Sequence, residues 1–125
     1  MSDFRTPLSK ARGLGSAKSG AGHFMAVRVT AVALLFLVPL FVYALAKLSS
    51  GDYETVHGFV ASPLGALLVL ATLTATLYHM RLGMQVVIED YIHVPNTRAL
   101  LLIANTLITG AAWLAVLYAT LRLAA

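Results

Sequence analysis

The sequence predicts an all-α membrane protein with three transmembrane helices, and three observations carry that expectation. The 125 residues are 59% hydrophobic and 11% charged, whereas a soluble domain is about a quarter charged. The apolar residues fall in three long blocks rather than in short alternating runs, which is the pattern of spanning helices. The cations are unevenly placed: Arg5, Lys10, Arg12, Lys18 and Arg28, five of the nine, lie before or at the start of the first block. The net charge of +4 therefore reads as a topology signal, and nucleic acid is excluded as a partner. The length suits a single small domain. With no cysteine, the chain has no disulfide, cysteine-ligated zinc or cysteine-ligated iron–sulfur cluster.

Residues 1–22 are rich in Gly, Ser and basic residues and lack an apolar period, so a flexible or partner-ordered basic arm is expected ahead of a transmembrane domain over 23–125. The arm shares its Arg and Ser content with transit peptides, but nothing in it separates a targeting segment from a plain basic tail. The first span is expected at about 27–48, with Pro39 inside it freeing the carbonyl of Leu35 and kinking the helix. "SSGDYETVHGFVA" follows as a polar, turn-rich loop. The second span is expected at about 63–88, since Pro63 suits a first helical turn. "HVPNT" then breaks the chain, and the third span runs over about 99–123 with an N-cap at Asn96 or Thr97. Cations dominate the arm, whereas the first loop holds Asp52 and Glu54. The arm and the 89–98 loop are thus expected on the cytoplasmic or matrix side, with the carboxy terminus opposite.

On the second helix, Gly65, Thr72, Thr76, His79, Gly83, Val86 and Asp90 fall within one narrow stripe at 100° per residue. Arg81 points to the opposite side, where a long side chain can snorkel to the inner head groups. Small residues in such a stripe are ordinary packing material for membrane helices. His79 is different, because it lies roughly 23 Å along the span from Leu64, past the midplane. There it is either a histidine bonded to a neighbouring helix or a functional group: proton relay, metal or haem ligand, or substrate contact. A relay normally needs a second titratable group, and the span has no carboxylate before Glu89. Haem ligation needs only one neutral imidazole nitrogen and room for the macrocycle, and Gly83, one turn on, provides room. His23, His57 and His93 are expected at or beyond the borders of the spans, so this chain alone cannot supply a second axial histidine: either another subunit does, the site is a symmetric dimer, or there is no haem.

Glu89, Asp90, Tyr91 and His93 mark the inner interface. Tyr91 is either an anchor in the aromatic belt or a hydrogen-bond donor to a quinone carbonyl, with a carboxylate beside it for the protons that accompany reduction.

"HMRLGMQVVIEDY" resembles the signature of the small cytochrome b hydrophobic membrane-anchor subunit of succinate dehydrogenase (respiratory complex II). It has a histidine, a glycine four residues on, and an Asp-Tyr pair eleven and twelve on. "SGAGHFMAVRVTAVAL" extends the likeness with a histidine before the first helix and an Arg-x-Thr-Ala start. The resemblance implies that the chain is half of a heterodimeric anchor bundle, coupling succinate oxidation to quinone reduction without being catalytic alone. It implies that His79 is one axial ligand to haem b iron and that Gly83 packs beside the haem. The second axial histidine would come from the companion cytochrome b anchor subunit. Tyr91 and Asp90 would form part of the ubiquinone site, and Arg28 and His23 would lie near the haem propionates, where cations can pair carboxylates. Iron–sulfur and flavoprotein subunits are the further partners implied. The expected location is the bacterial inner membrane, in preference to the mitochondrial one, with the arm in the cytoplasm. Two other readings stay open on the residues alone. One is a non-redox three-span assembly or scaffold protein in which His79 only packs. The other is a small proton-coupled transporter, which the missing deep carboxylate disfavours.

Overall fold

The computed structural model describes residues 6–12 and 20–124. The order is α1 (Pro7–Arg12), α2 (Gly20–Leu48), α3 (Tyr53–Ala61), α4 (Pro63–Tyr91) and α5 (Pro95–Ala124). Three of these, α2, α4 and α5, are long and apolar enough to cross a membrane, so the expected all-α, three-span architecture is what the chain adopts. At 1.5 Å per residue each exceeds a hydrocarbon core of about 30 Å, leaving a turn or more at either end among head groups.

The ends of the elements differ from the sequence expectation for local reasons. α2 begins at Gly20 rather than near residue 27, so His23 lies on the helix and not beyond its border. The extra turns carry Phe24, Met25 and Ala26, apolar residues that continue the helical face below Arg28. Pro7–Arg12 within the expected arm is also helical, opened by the Thr6 hydroxyl accepting from the Ser9 amide at 3.1 Å. Arg5 and Lys18 lie outside the described residues. Pro39 is accommodated without breaking α2.

The expected polar loop contains a helix instead. Asp52 caps α3 by accepting from the Thr55 amide at 3.0 Å and the Thr55 hydroxyl at 2.6 Å. Those bonds, the hydroxyl's first, hold the Asp52 carboxyl below its ordinary range, because they stabilise the charged form. Glu54 in the first turn adds favourable charge at the helix start. His57 therefore sits within α3, 5.6 Å from Tyr53 between ring centroids. α4 follows at once, with Ser62 as its cap and Pro63 in its first turn. α5 starts at Pro95, and the Arg98 amide bonds the Val94 carbonyl at 2.9 Å. Asn96 and Thr97 are thus inside the first turn rather than capping it, because proline at the first helical position already supplies the required backbone angle.

α4 is the central element: α2 packs on it, α5 packs on it, and α3 packs against both α4 and α5 at their far ends. Bonds from Arg81 to Thr106 and from Trp113 to Thr74 fix α4 and α5 in one antiparallel register. At the corner, Gly65 lies so close to the Phe59 carbonyl that a Cβ would collide with backbone.

Apolar burial is slight. Among the described residues only Leu82 and Ile88, both on α4, are buried hydrophobics, while Thr30, Thr72, Thr109 and Thr120 are buried polar ones. Threonine suits helix contacts in lipid because it is small and its hydroxyl can bond its own helix. Thr109 does so to Asn105 at 2.7 Å and Thr120 to Val116 at 2.8 Å. The outward faces carry many exposed large apolar side chains, such as Leu35, Phe36 and Leu64, which suit lipid or a second apolar chain.

Candidate functional site

His79 is positioned by the pairing of α2 with α4. Its Nδ1 lies 2.8 Å from Thr30 Oγ1, the one side-chain hydrogen bond joining these helices among the described residues. The Thr30 hydroxyl in turn lies 2.8 Å from the Ala26 carbonyl and 3.1 Å from that of Val27. Nε2 of His79 makes no hydrogen bond among the described residues. It is not one of the buried orphan atoms either, which are His23 Nε2 and Thr72 Oγ1. Nε2 is therefore reachable from outside the chain.

The stripe read from the sequence divides in two. Its outer half is a packing seam, with Gly65 and Thr72 buried. Its inner half is open: Gly83 and Asp90 are exposed, and a Cβ built on Gly83 meets nothing within 4 Å. One turn along from His79 the helix surface at Gly83 is thus open to whatever packs on it.

Asp90 and Tyr91 end α4. Tyr91 is 76% exposed, and neither side chain makes a hydrogen bond among the described residues, so the phenol and carboxylate are both available to a ligand or partner. Glu89 is occupied instead, accepting from Gln85 at 2.9 Å. His93 is exposed in the link to α5.

The start of α2 approaches the same end. With Thr30 level with His79 and the helices antiparallel, His23, seven residues earlier, lies about 10 Å nearer that end, level with Val86. Its Nε2 is buried with no partner among the described residues, an arrangement that is costly unless a further group satisfies it. Arg28 is exposed, its guanidinium 5.0 Å from the centroid of the Phe24 ring. His79, Gly83, Asp90, Tyr91, Arg28 and His23 thus all lie from the level of His79 to one end of the molecule.

Arg81 behaves differently from the expected snorkelling. It reaches sideways to Thr106 on α5, with nitrogen–oxygen distances of 3.2 and 3.4 Å, while Asn105 bonds the Arg81 carbonyl at 3.0 Å. A cleft of about 340 Å³ lies beside it, lined in part by Tyr78, Thr74 and Trp113. Sequence reasoning also missed Thr30 as the partner of His79, though it stands in the Arg-x-Thr-Ala stretch. Among the described residues no three His, Asp or Glu side chains gather into a metal-binding cluster, so any metal on this face would take few ligands from this chain.

The sequence matches the succinate dehydrogenase/fumarate reductase transmembrane subunit family over residues 2–120. Three relatives share the name succinate dehydrogenase hydrophobic membrane anchor subunit. That of Rickettsia bellii (strain RML369-C) is 37% identical over 102 residues, 82% of each chain. That of Rickettsia typhi (strain ATCC VR-144 / Wilmington) is 36% identical over 101 residues, 81% of each. That of Paracoccus denitrificans is 32% identical over 118 residues, 94% of this chain and 91% of the relative.

Proposed function

The chain belongs to the family of succinate dehydrogenase/fumarate reductase transmembrane subunits, and from that premise we propose that it anchors a succinate:quinone oxidoreductase while supplying half of a haem b site and part of a ubiquinone site. The observation that carries this reading is His79: one ring nitrogen is held across the α2–α4 contact, and the other is left accessible beside the open space at Gly83.

The residues fit a haem. A single accessible imidazole nitrogen is what one chain of a two-histidine site must offer. The buried Nε2 of His23, unpartnered among the described residues, and the cationic Arg28 toward the same end suit propionate carboxylates. When bound, the haem would supply one-electron transfer between the iron–sulfur subunit and quinone. His79 would ligate its iron, and Gly83 would leave space for the ring. The second axial histidine belongs to the companion cytochrome b anchor, packed against the exposed apolar faces.

Quinone reduction consumes two electrons and two protons. Tyr91 donates its phenolic hydrogen to a quinone carbonyl oxygen, holding the ring at the mouth of the spans, and Asp90 passes protons in from the aqueous side. Both stand at the end of α4 without a side-chain partner among the described residues. The flavoprotein and iron–sulfur subunits dock at that end, which faces the cytoplasm of a bacterium, since five of the nine cations precede or open the first span.

The test is His79→Ala in the assembled complex. A reduced-minus-oxidised spectrum should lose or alter its low-spin b-type signal, while succinate oxidation with a soluble artificial acceptor persists. An unchanged spectrum would make His79 a packing residue and overturn the reading.

A further inference from the structure

We propose that Thr30 is a positioning residue for His79: its hydroxyl accepts the Nδ1 hydrogen, locks the ring in one tautomer and orientation, and presents Nε2 as the lone-pair nitrogen. This rests on the reading of His79 as a haem ligand.

The assignment follows from counting hydrogens. A threonine hydroxyl has one hydrogen and two lone pairs. Thr30 Oγ1 lies 2.8 Å from the Ala26 carbonyl oxygen and 3.1 Å from that of Val27. Carbonyl oxygens carry no hydrogen, so the hydroxyl's own hydrogen must lie in those contacts. The 2.8 Å contact between Oγ1 and His79 Nδ1 then has only the ring to supply its hydrogen. A neutral imidazole bears one N–H, and with that at Nδ1 the lone pair is at Nε2, the nitrogen that is accessible from outside the chain.

The chain of bonds runs from His79 Nδ1–H to Thr30 O–H to the Ala26 carbonyl, and each member polarises the next. It does for the ring what a carboxylate or carbonyl does for many metal-bound histidines, fixing its rotation and strengthening its free nitrogen as a donor. Thr30 is buried, so water does not compete for the bond. α2 thereby contributes to the ligand without touching the metal.

The experiment uses the assembled complex with Thr30→Val, Thr30→Ala and Thr30→Ser beside the parent and His79→Ala, reading haem content and haem midpoint potential. Valine keeps the branched shape and the helix but removes the acceptor. Thr30→Val should weaken haem retention by about 10- to 100-fold, the usual effect of losing such a supporting bond. It should also raise the midpoint potential, because a weaker donor stabilises oxidised iron less. Thr30→Ser should return both toward the parent. Thr30→Ala gives the same reading if the valine variant does not assemble. Parent-like values in Thr30→Val and Thr30→Ala, or losses in Thr30→Ser equal to theirs, would reduce Thr30 to a packing residue and overturn the proposal. In that outcome loss of haem in His79→Ala leaves the ligand reading standing. A parent spectrum in His79→Ala overturns both.

Discussion

Gly83 offers a test in which the isolated chain and the assembled complex should respond with opposite sign. It sits four residues from His79, about 6 Å along the helix, and in the chain alone a Cβ there meets nothing within 4 Å. Alanine is favoured over glycine in a helix interior by about 0.8–1.0 kcal/mol, so Gly83→Ala should leave insertion and helicity of the chain unchanged or improved. In the complex the same methyl group enters space that a haem would fill. Overpacking costs about 1–3 kcal/mol, and at about 1.4 kcal/mol per tenfold this is about a 5- to 140-fold loss of haem affinity. The assay is the haem-to-protein ratio after graded detergent washing, with the reduced-minus-oxidised spectrum read on each fraction. Gly110 on α5 is the control, because a Cβ there also meets nothing within 4 Å yet it lines the cleft beside Arg81. Gly110→Ala should retain haem like the parent. If Gly83→Ala and the bulkier Gly83→Leu both keep parental haem content, the space at Gly83 belongs to lipid and the haem must lie against another face.

Tyr91→Phe keeps the ring and removes the donor. A lost hydrogen bond of about 0.5–1.5 kcal/mol should slow succinate-to-quinone turnover about 2- to 12-fold, with haem content and reduction of a soluble acceptor unaltered. Turnover equal to the parent at all quinone concentrations would leave Tyr91 as an interfacial anchor. Gly65→Ala should push α3 off α4, since its Cβ would meet the Phe59 backbone; the complex should melt earlier, while haem absorbance before melting stays parental because His79 is about 21 Å away along α4. Asp52 has its carboxyl held below the ordinary range by Thr55. Its stabilisation of α3 is therefore full above about pH 4 and is lost as pH falls through the depressed value. Hydrogen exchange of α3 amides should accelerate over that acid range relative to Asp52→Ala at matched pH, and identical ratios at every pH would count against the cap.

The three spans were readable because lipid imposes length and apolarity, two properties that sequence displays directly. α3 was not, since its nine residues are held by an Asp52 cap and by packing on α4 and α5, and neither the packing nor its strength shows in composition. The opposite directions of His79 and Arg81 were legible from helical phase, and the structure sends one to α2 and the other to α5. What phase could not reveal was which hydroxyl each would meet. Arg81 read as snorkelling because its length permits that, yet Thr106 stands across the α4–α5 contact and holds it sideways. Similarly, the stripe gave Gly65 and Gly83 the same phase, but only contacts separate a glycine pressed on backbone from one facing open space.

The unequal fastening of the helices has a consequence for how the molecule is put together. α4 and α5 are laced by Arg81–Thr106, Asn105–Arg81 and Trp113–Thr74 bonds, all formed within a hairpin whose members are joined by a short link. α2 reaches that hairpin through a single side-chain bond among the described residues, and that bond ends on His79. The register of the hairpin is thus set by several polar bonds, whereas α2 packs on α4 almost as extensively and is keyed to it by that one bond. Among the described residues that contact is thus both the polar key that sets how α2 sits on the hairpin and the bond that holds the His79 ring.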